Sequence, residues 1–335
     1  MVVADAGLLE NRRAPATTLE GWRSFISADP SELTLLPREQ WEALGERDRR
    51  DYDEARIAHH AELVVVTTSA IAEITSEGQL LVLMNQREIG ARRGLIVSGD
   101  AATGKTTSIK QLGRLHELRV RARFPAGTDR IPVVYVTCPP KGSPRKLAME
   151  FARFLGLPLR TRANVTDIAD AVCQVLIDAR TDLVLVDEIH NLNHGTPAGE
   201  DLSDHLKYFT EHLPATFAYA GIDVERRVFT GVRGKQIAGR CVLINTGPFP
   251  CDAEWKGLVA TLESALRLHC HQPGTLTRQA RYLHRRTGGM IGSLSHLVRA
   301  AAQLAILEGD EAITRKLMDT IPVDHAAESG QHGAA

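Results

Sequence analysis

The stretch Gly99-Asp100-Ala101-Ala102-Thr103-Gly104-Lys105-Thr106 fits the pattern G-x-x-x-x-G-K-T in full. The apolar run Leu95-Ile96-Val97 leads into it, and the helix-like Thr107-Ser108-Ile109-Lys110-Gln111-Leu112 follows. Strand, glycine-rich turn and helix start in that order are the context in which the motif cradles phosphate. The glycines let the backbone turn tightly enough for successive N–H groups to face an anion, and the helix N-terminus adds its positive partial charge. Residues 99–107 are therefore expected to line ATP, with Lys105 neutralising the β- and γ-phosphates and the Thr106 hydroxyl ligating Mg²⁺.

A second stretch supports the first. Leu183-Val184-Leu185-Val186-Asp187-Glu188 reads as a buried parallel strand that delivers two carboxylates at its C-terminal edge. Asp187 is expected to hold Mg²⁺, usually through water, and Glu188 to orient or deprotonate the attacking water, because phosphoryl transfer needs positioning and charge compensation more than covalent chemistry.

Composition bounds the remaining classes. The 335 residues allow one large or two smaller domains, and 43% hydrophobic with 24% charged residues is an ordinary globular balance. A net charge of −1 gives no global field toward nucleic acid or membrane, so such contacts must come from local patches. No apolar run approaches the roughly 18 residues needed to cross a bilayer. The first residues, with Asp5 and Glu10, lack a signal peptide's layout, so a cytoplasmic chain without membrane contact is expected. Cys138, Cys173, Cys241, Cys251 and Cys270 form no C-x-x-C pair and read as reduced thiols. His269-Cys270-His271 are adjacent, and adjacent side chains seldom converge on one metal, so no metal site is expected there.

Five regions follow along the chain. Residues 1–17 and 323–335 read as flexible ends. Residues 18–90 form a helical prefix, with Trp22 and Phe25, then Leu36 to Trp41, then a charged stretch from Glu46 to Arg56 that continues into Ala61 to Ile74. The alternating charges of Glu46 to Asp51 read as a solvated face. Residues 91–250 form an α/β nucleotide-binding domain. Its strands lie near Leu95–Ser98, Val133–Thr137, Leu183–Asp187, Ala215–Ala220 and Cys241–Asn245, with helices running to about Arg123 and starting from about Arg145, Val165 and Asp201. Five short apolar strands separated by helices describe a three-layer parallel sheet that binds ligand at the strands' C-terminal ends. Residues 251–322 form a small helical lid domain, with helices through Leu258–Leu262, Leu276–Arg286 and Ile291–Ile306 and a last one starting near Glu311.

With the phosphate loop, Val186-Asp187-Glu188-Ile189-His190-Asn191-Leu192, Gly289-Met290-Ile291-Gly292-Ser293-Leu294 and the following Ala300 to Ile306 resemble the AAA+ transposition ATPases of the TniB and TnsC type. The likeness spans roughly residues 55 to 320. It implies a P-loop AAA+ sheet with a helical lid, Mg-ATP hydrolysis, and self-assembly into a ring or filament on double-stranded DNA. It further implies regulation of transposition target choice by recruiting or activating a transposase. In this family an arginine acts in trans at a neighbour's γ-phosphate. Arg240 is the first candidate, ahead of Arg226, Arg227 and Arg233. DNA meets the loop after the second strand, here Lys141, Arg145 and Lys146, with Arg160 and Arg162 in the next loop. The run Lys110, Arg114, Arg119, Arg121 and Arg123 is expected to face neighbouring elements or solvent.

Two departures matter. Ile222, after Thr216-Phe217-Ala218-Tyr219-Ala220-Gly221, stands where the family carries a polar sensor, and Ser293 stands where many lids carry a sensor arginine. Slow hydrolysis is expected, with Asn245 or Thr246 left to contact the γ-phosphate. Two other classes fit the phosphate loop: a signalling or defence ATPase, and a small-molecule kinase. The Asp187-Glu188 pair and the long helical C-terminal region favour hydrolysis over transfer to a metabolite.

Overall fold

In the computed structural model, residues 14–28, 33–88, 90, 92–127, 129–140, 143–158, 164–191, 206–227, 236 and 238–323 are described. The apolar runs expected as strands are strands: β1 Gly94–Gly99, β2 Val133–Thr137, β3 Leu183–Asp187, β4 Thr216–Gly221 and β5 Cys241–Thr246. They form one parallel sheet in the order β2-β3-β4-β1-β5. β1 to β4 are apolar almost throughout because helices bury both faces of a parallel sheet.

Three helices flank β1 on one face, two that precede it, α1 Leu19–Ser27 and α4 Ser69–Asn85, and one that follows it, α5 Lys105–Arg123. Gly113 of α5 lies where a Cβ would strike Leu185 of β3 and Trp22 of α1. Trp22 is fully buried and donates its indole N–H to Glu117 of α5 at 2.5 Å. On the other face, Glu225 of the short α9 (Val224–Arg227) accepts a hydrogen bond from Ser98 of β1. Right-handed crossovers put α6 Pro144–Phe154, α7 Val165–Asp178 and α8 (residues 206–212) on that same side, where Phe151 and Phe209 stack. The expected three layers are present.

After β5 the chain builds a second, wholly helical core from α10 Ala253–Ser264, α11 Thr275–Arg278, α12 Ala280–Thr287, α13 Ile291–Leu307 and α14 Arg315–Thr320. Trp255, Leu262, Leu283, Leu297 and Ala301 fill it. No single helix among the described residues is long and apolar enough to cross a membrane.

The prefix is shared between the two cores. α1 and α4 join the sheet, whereas α2 Arg38–Glu42 and α3 Glu46–Ala61 belong with the helical unit, to which α3 contributes Ile57 and the buried Arg56. Three boundaries differ from expectation. The helix from Glu46 stops at Ala61 and restarts at Ser69, because five consecutive β-branched residues, Val64 to Thr68, favour extended backbone. Leu276–Arg286 is two helices broken at Gln279. The last helix starts at Arg315, since Glu311 has a left-handed φ of +54° and Thr314 supplies the N-cap.

Candidate nucleotide site

The phosphate loop closes at the C-terminal end of β1. Gly99 is required there because a Cβ would run into the backbone carbonyl of Thr246 on β5. Gly104 caps α5 at φ +90°, a left-handed turn that suits glycine. The loop is tied across its mouth. Thr103 Oγ1 lies 2.8 Å from both the Asp100 carbonyl and Thr246 Oγ1. Thr246 Oγ1 in turn reaches the Ser98 carbonyl at 3.3 Å. Thr246, expected as a possible substitute sensor, therefore fastens the loop to the sheet, while Asn245 is exposed on the edge strand.

Lys105 is 7% exposed, and its ammonium donates to the Asp100 carbonyl at 2.5 Å. Burial lowers its pKa against the opposing field of Glu188, Asp187 and Asp100. Asp187 is 2% exposed; it accepts from the Tyr135 hydroxyl at 2.8 Å and from the Glu188 N–H at 2.9 Å. Burial, then the Asp187 charge, holds the Tyr135 hydroxyl well above its ordinary pKa, so it stays a donor. Glu188 has a left-handed φ of +55°, and its carboxylate borders the cavity.

That cavity holds about 400 Å³, a size that suits a nucleotide. The phosphate loop from Ala101 to Ser108 floors it, with Glu188 and Ile222 at one side. The opposite wall comes from the extended segment Leu63–Val66 and from Phe249, Leu262, Ile291, Gly292 and Ser295. Leu63 and Val65 are 52% and 39% exposed there, while Val64 and Val66 pack on the helical core. This apolar wall is the part of the site that sequence reasoning missed. The helical unit also touches the loop directly, through Gly292 N–H to the Ala102 carbonyl at 2.9 Å. The cavity thus presents N–H groups and an ammonium at one end and an apolar slot at the other. Among the residues that line it, the Thr106 hydroxyl and the Glu188 carboxylate are oxygen donors, and with the Asp187 carboxylate buried next to Glu188 in the chain they form a donor set of the kind a hard cation such as Mg²⁺ takes.

Arg240 lies elsewhere. It is exposed at the N-terminal end of β5, its carbonyl accepting from Gly94 N–H, and it borders a second cavity of about 420 Å³ with Arg92, Arg93 and Lys207. The length of β5, roughly 3.3 Å per residue, separates it from Thr246, so it cannot serve its own phosphate loop. Arg226 is exposed on α9, at the nucleotide end of the sheet. The side chain of Arg227, and Arg233 as a whole, lie outside the described residues.

Of the expected DNA contacts, Lys141, Arg160 and Arg162 also lie outside the described residues. Arg145 and Lys146 occupy the first turn of α6, which carries no acidic residue. The basic residues of α5 turn to neighbours: Lys110 to the Tyr135 ring, Arg114 to the Ala28 carbonyl, Arg119 to Gln79, Arg121 to Glu117 and Arg123 to Phe124. His269, Cys270 and His271 go to Trp41, Arg38 and Glu263 respectively.

The profile of a family described as "Bacterial TniB protein" matches residues 56–245. No curated protein sequence matches the chain. Among solved structures, the ORC1 protein of Aeropyrum pernix in complex with DNA aligns at 18% identity and a TM-score of 0.59, over 79% of this chain and 65% of that one. The ORC2 protein of the same organism, in ADPNP and ADP complexes, aligns at 16% identity and 0.57, over 82% and 71%. Cdc6p of Pyrobaculum aerophilum aligns at 16% and 0.55, over 75% and 65%. The chain therefore spans under two thirds of the ORC1 and Cdc6p chains, and at these identities the likeness is one of fold: the expected AAA+ P-loop sheet with a helical C-terminal region.

Proposed function

The chain belongs to the TniB family, whose profile covers residues 56–245, and from that premise we propose that it is a cytoplasmic Mg-ATPase that assembles on double-stranded DNA and regulates transposition target choice. The observation that carries the nucleotide part is that Lys105 and Glu188 line one cavity between the sheet's C-terminal edge and the helical unit, with the buried Asp187 close enough for its charge to act on Lys105. The base lies against Leu63–Val66 and Ile291, and the phosphates lie on the loop N–H groups, where Lys105 exchanges the Asp100 carbonyl for phosphate oxygen. Mg²⁺, held by Thr106 and Asp187, supplies charge compensation for the phosphates. Glu188 holds the water in line. With Ile222 apolar beside it, one hydrogen bond to the γ-phosphate is lacking and turnover is slow. Arg240 acts in trans, on the nucleotide of a second copy.

The DNA part rests on the family and on charge. Arg145 and Lys146 lie in the first turn of α6, where basic side chains and the positive end of the helix dipole together suit an anion such as a DNA phosphate. With Lys141, Arg160 and Arg162 they form the phosphate-contacting set. A. pernix ORC1, of like fold, is found in complex with DNA. The transposase partner follows from the family that the motifs resemble.

The test combines ATP hydrolysis with duplex binding by fluorescence anisotropy. Lys105→Ala should lose nucleotide binding, and Glu188→Gln should bind ATP without hydrolysing it. Duplex binding should require nucleotide, weaken with salt, and on charge reversal at Arg145 and Lys146 become weaker with a shallower salt dependence. Phosphate transfer to a metabolite in place of water, or indifference to DNA, would overturn the reading.

A further inference from the structure

Directly after the acidic pair the chain makes one 3-10 turn, Ile189–Asn191, which packs against the end of β4. The approach is close: a Cβ on Gly221 would lie 3.0 Å from the Ile189 side chain and 3.1 Å from the His190 backbone nitrogen. Asn191 anchors the other side of the turn, donating to the Cys138 carbonyl at 2.9 Å. His190 is thereby held between two loops. Its Nδ1 accepts the backbone N–H of Ile222 at 3.3 Å. In the neutral ring that acceptor role leaves the hydrogen on Nε2, and Nε2 lies 3.4 Å from Glu188 Oε2.

We propose that His190 is a positioning residue for Glu188, linking the carboxylate to the backbone at the end of β4; this rests on the reading of Glu188 as the group that holds the attacking water. Ile222 offers no polar side chain, but its backbone N–H still reports the position of the β4 loop, and the imidazole carries that position to Glu188. The separation of 3.4 Å is long for a hydrogen bond to a carboxylate, and contacts of this kind tighten when substrate is bound. Glu188 needs such a guide. Its left-handed backbone places it beyond the regular end of β3, and its side chain is 43% exposed, so water competes for its orientation.

The experiment measures single-turnover hydrolysis with protein in saturating excess over ATP, and affinity for a fluorescent ADP analogue, in His190→Ala, His190→Gln, His190→Asn and Glu188→Gln. A glutamine amide reaches the position of Nε2, whereas asparagine reaches only that of Nδ1. His190→Ala should slow hydrolysis roughly tenfold or more with affinity nearly unchanged. His190→Gln should recover part of the rate, and His190→Asn should stay as slow as alanine. Wild-type hydrolysis in His190→Ala, equal recovery by asparagine and glutamine, or an affinity loss matching the rate loss would overturn the proposal. Glu188→Gln separates the two layers: full turnover there removes the role of Glu188 itself, whereas its loss beside a normal His190→Ala rate removes only that of His190.

Discussion

Glu311→Gln tests how the apolar wall of the cavity is held. Arg56 of α3 is fully buried and bonds both oxygens of Glu311, at 2.6 and 2.8 Å, while also reaching Asp53 at 2.6 Å. Burial works against the guanidinium charge, but these two carboxylates outweigh it and hold its pKa above the ordinary value. Glu311 also accepts the His269 N–H at 3.0 Å. Breaking one side of a buried ion pair costs about 3–5 kcal/mol. Asp53 remains and glutamine keeps one acceptor, which places the loss near the lower end, about 3 kcal/mol. Removing both charges together, in Arg56→Met with Glu311→Leu, should cost at most about 1–2 kcal/mol, because the penalty comes from the uncompensated charge. Urea unfolding followed by tryptophan fluorescence gives these values. Since α3 leads straight into Leu63–Val66, Glu311→Gln should also weaken nucleotide binding without touching the phosphate loop. A loss under about 1 kcal/mol, or a double variant no more stable than the single, would refute the reasoning.

Three further expectations follow from the same contacts. His60 is 5% exposed, and burial, followed by the charge of neighbouring His59, pushes its pKa down to about 4. The unfolded chain therefore binds the extra proton between pH 6.5 and 4, so this stability is present above pH 6.5 and is lost as pH falls, by about 2 kcal/mol at pH 5. His60→Gln should flatten that slope in urea titrations at pH 7 and 5, and an unchanged slope would contradict it. Thr246→Val removes the hydroxyl that ties Thr103 to the sheet, and calorimetry should show ATP affinity falling about fivefold, the equivalent of one hydrogen bond. Gly292→Ala puts a methyl 3.0 Å from the Ala102 side chain. That should push the helical unit off the loop and cost roughly tenfold in affinity with the fold intact by circular dichroism; unaltered affinity would argue against that contact.

The chemistry of the site was legible because it is local. A phosphate loop needs particular residues at adjacent positions, and the Asp187-Glu188 pair ends an apolar run that can only be a buried strand. The strands and the longer helices were legible for the same reason of period. The cavity's apolar wall was not. The β-branched run Val64 to Thr68 favours extended backbone by itself, but that it walls a cavity appears only once the helical unit is in place to receive Val64 and Val66. The contact of Gly292 with Ala102 joins residues far apart in the chain, and nothing near either one encodes it. Thr246 looked like a sensor because its type suits phosphate, whereas its partners are Thr103 and Ser98. Arg240 could be chosen by its place before β5, and only the fold reveals that it sits a strand's length from its own phosphate loop.

Electron microscopy of the purified protein with a non-hydrolysable ATP analogue, with and without duplex DNA and beside Lys105→Ala, tests the central claim most directly. Nucleotide-dependent rings or filaments on the duplex, absent in Lys105→Ala, are the expected result. A particle that binds nucleotide yet stays a single copy and ignores DNA would contradict the account.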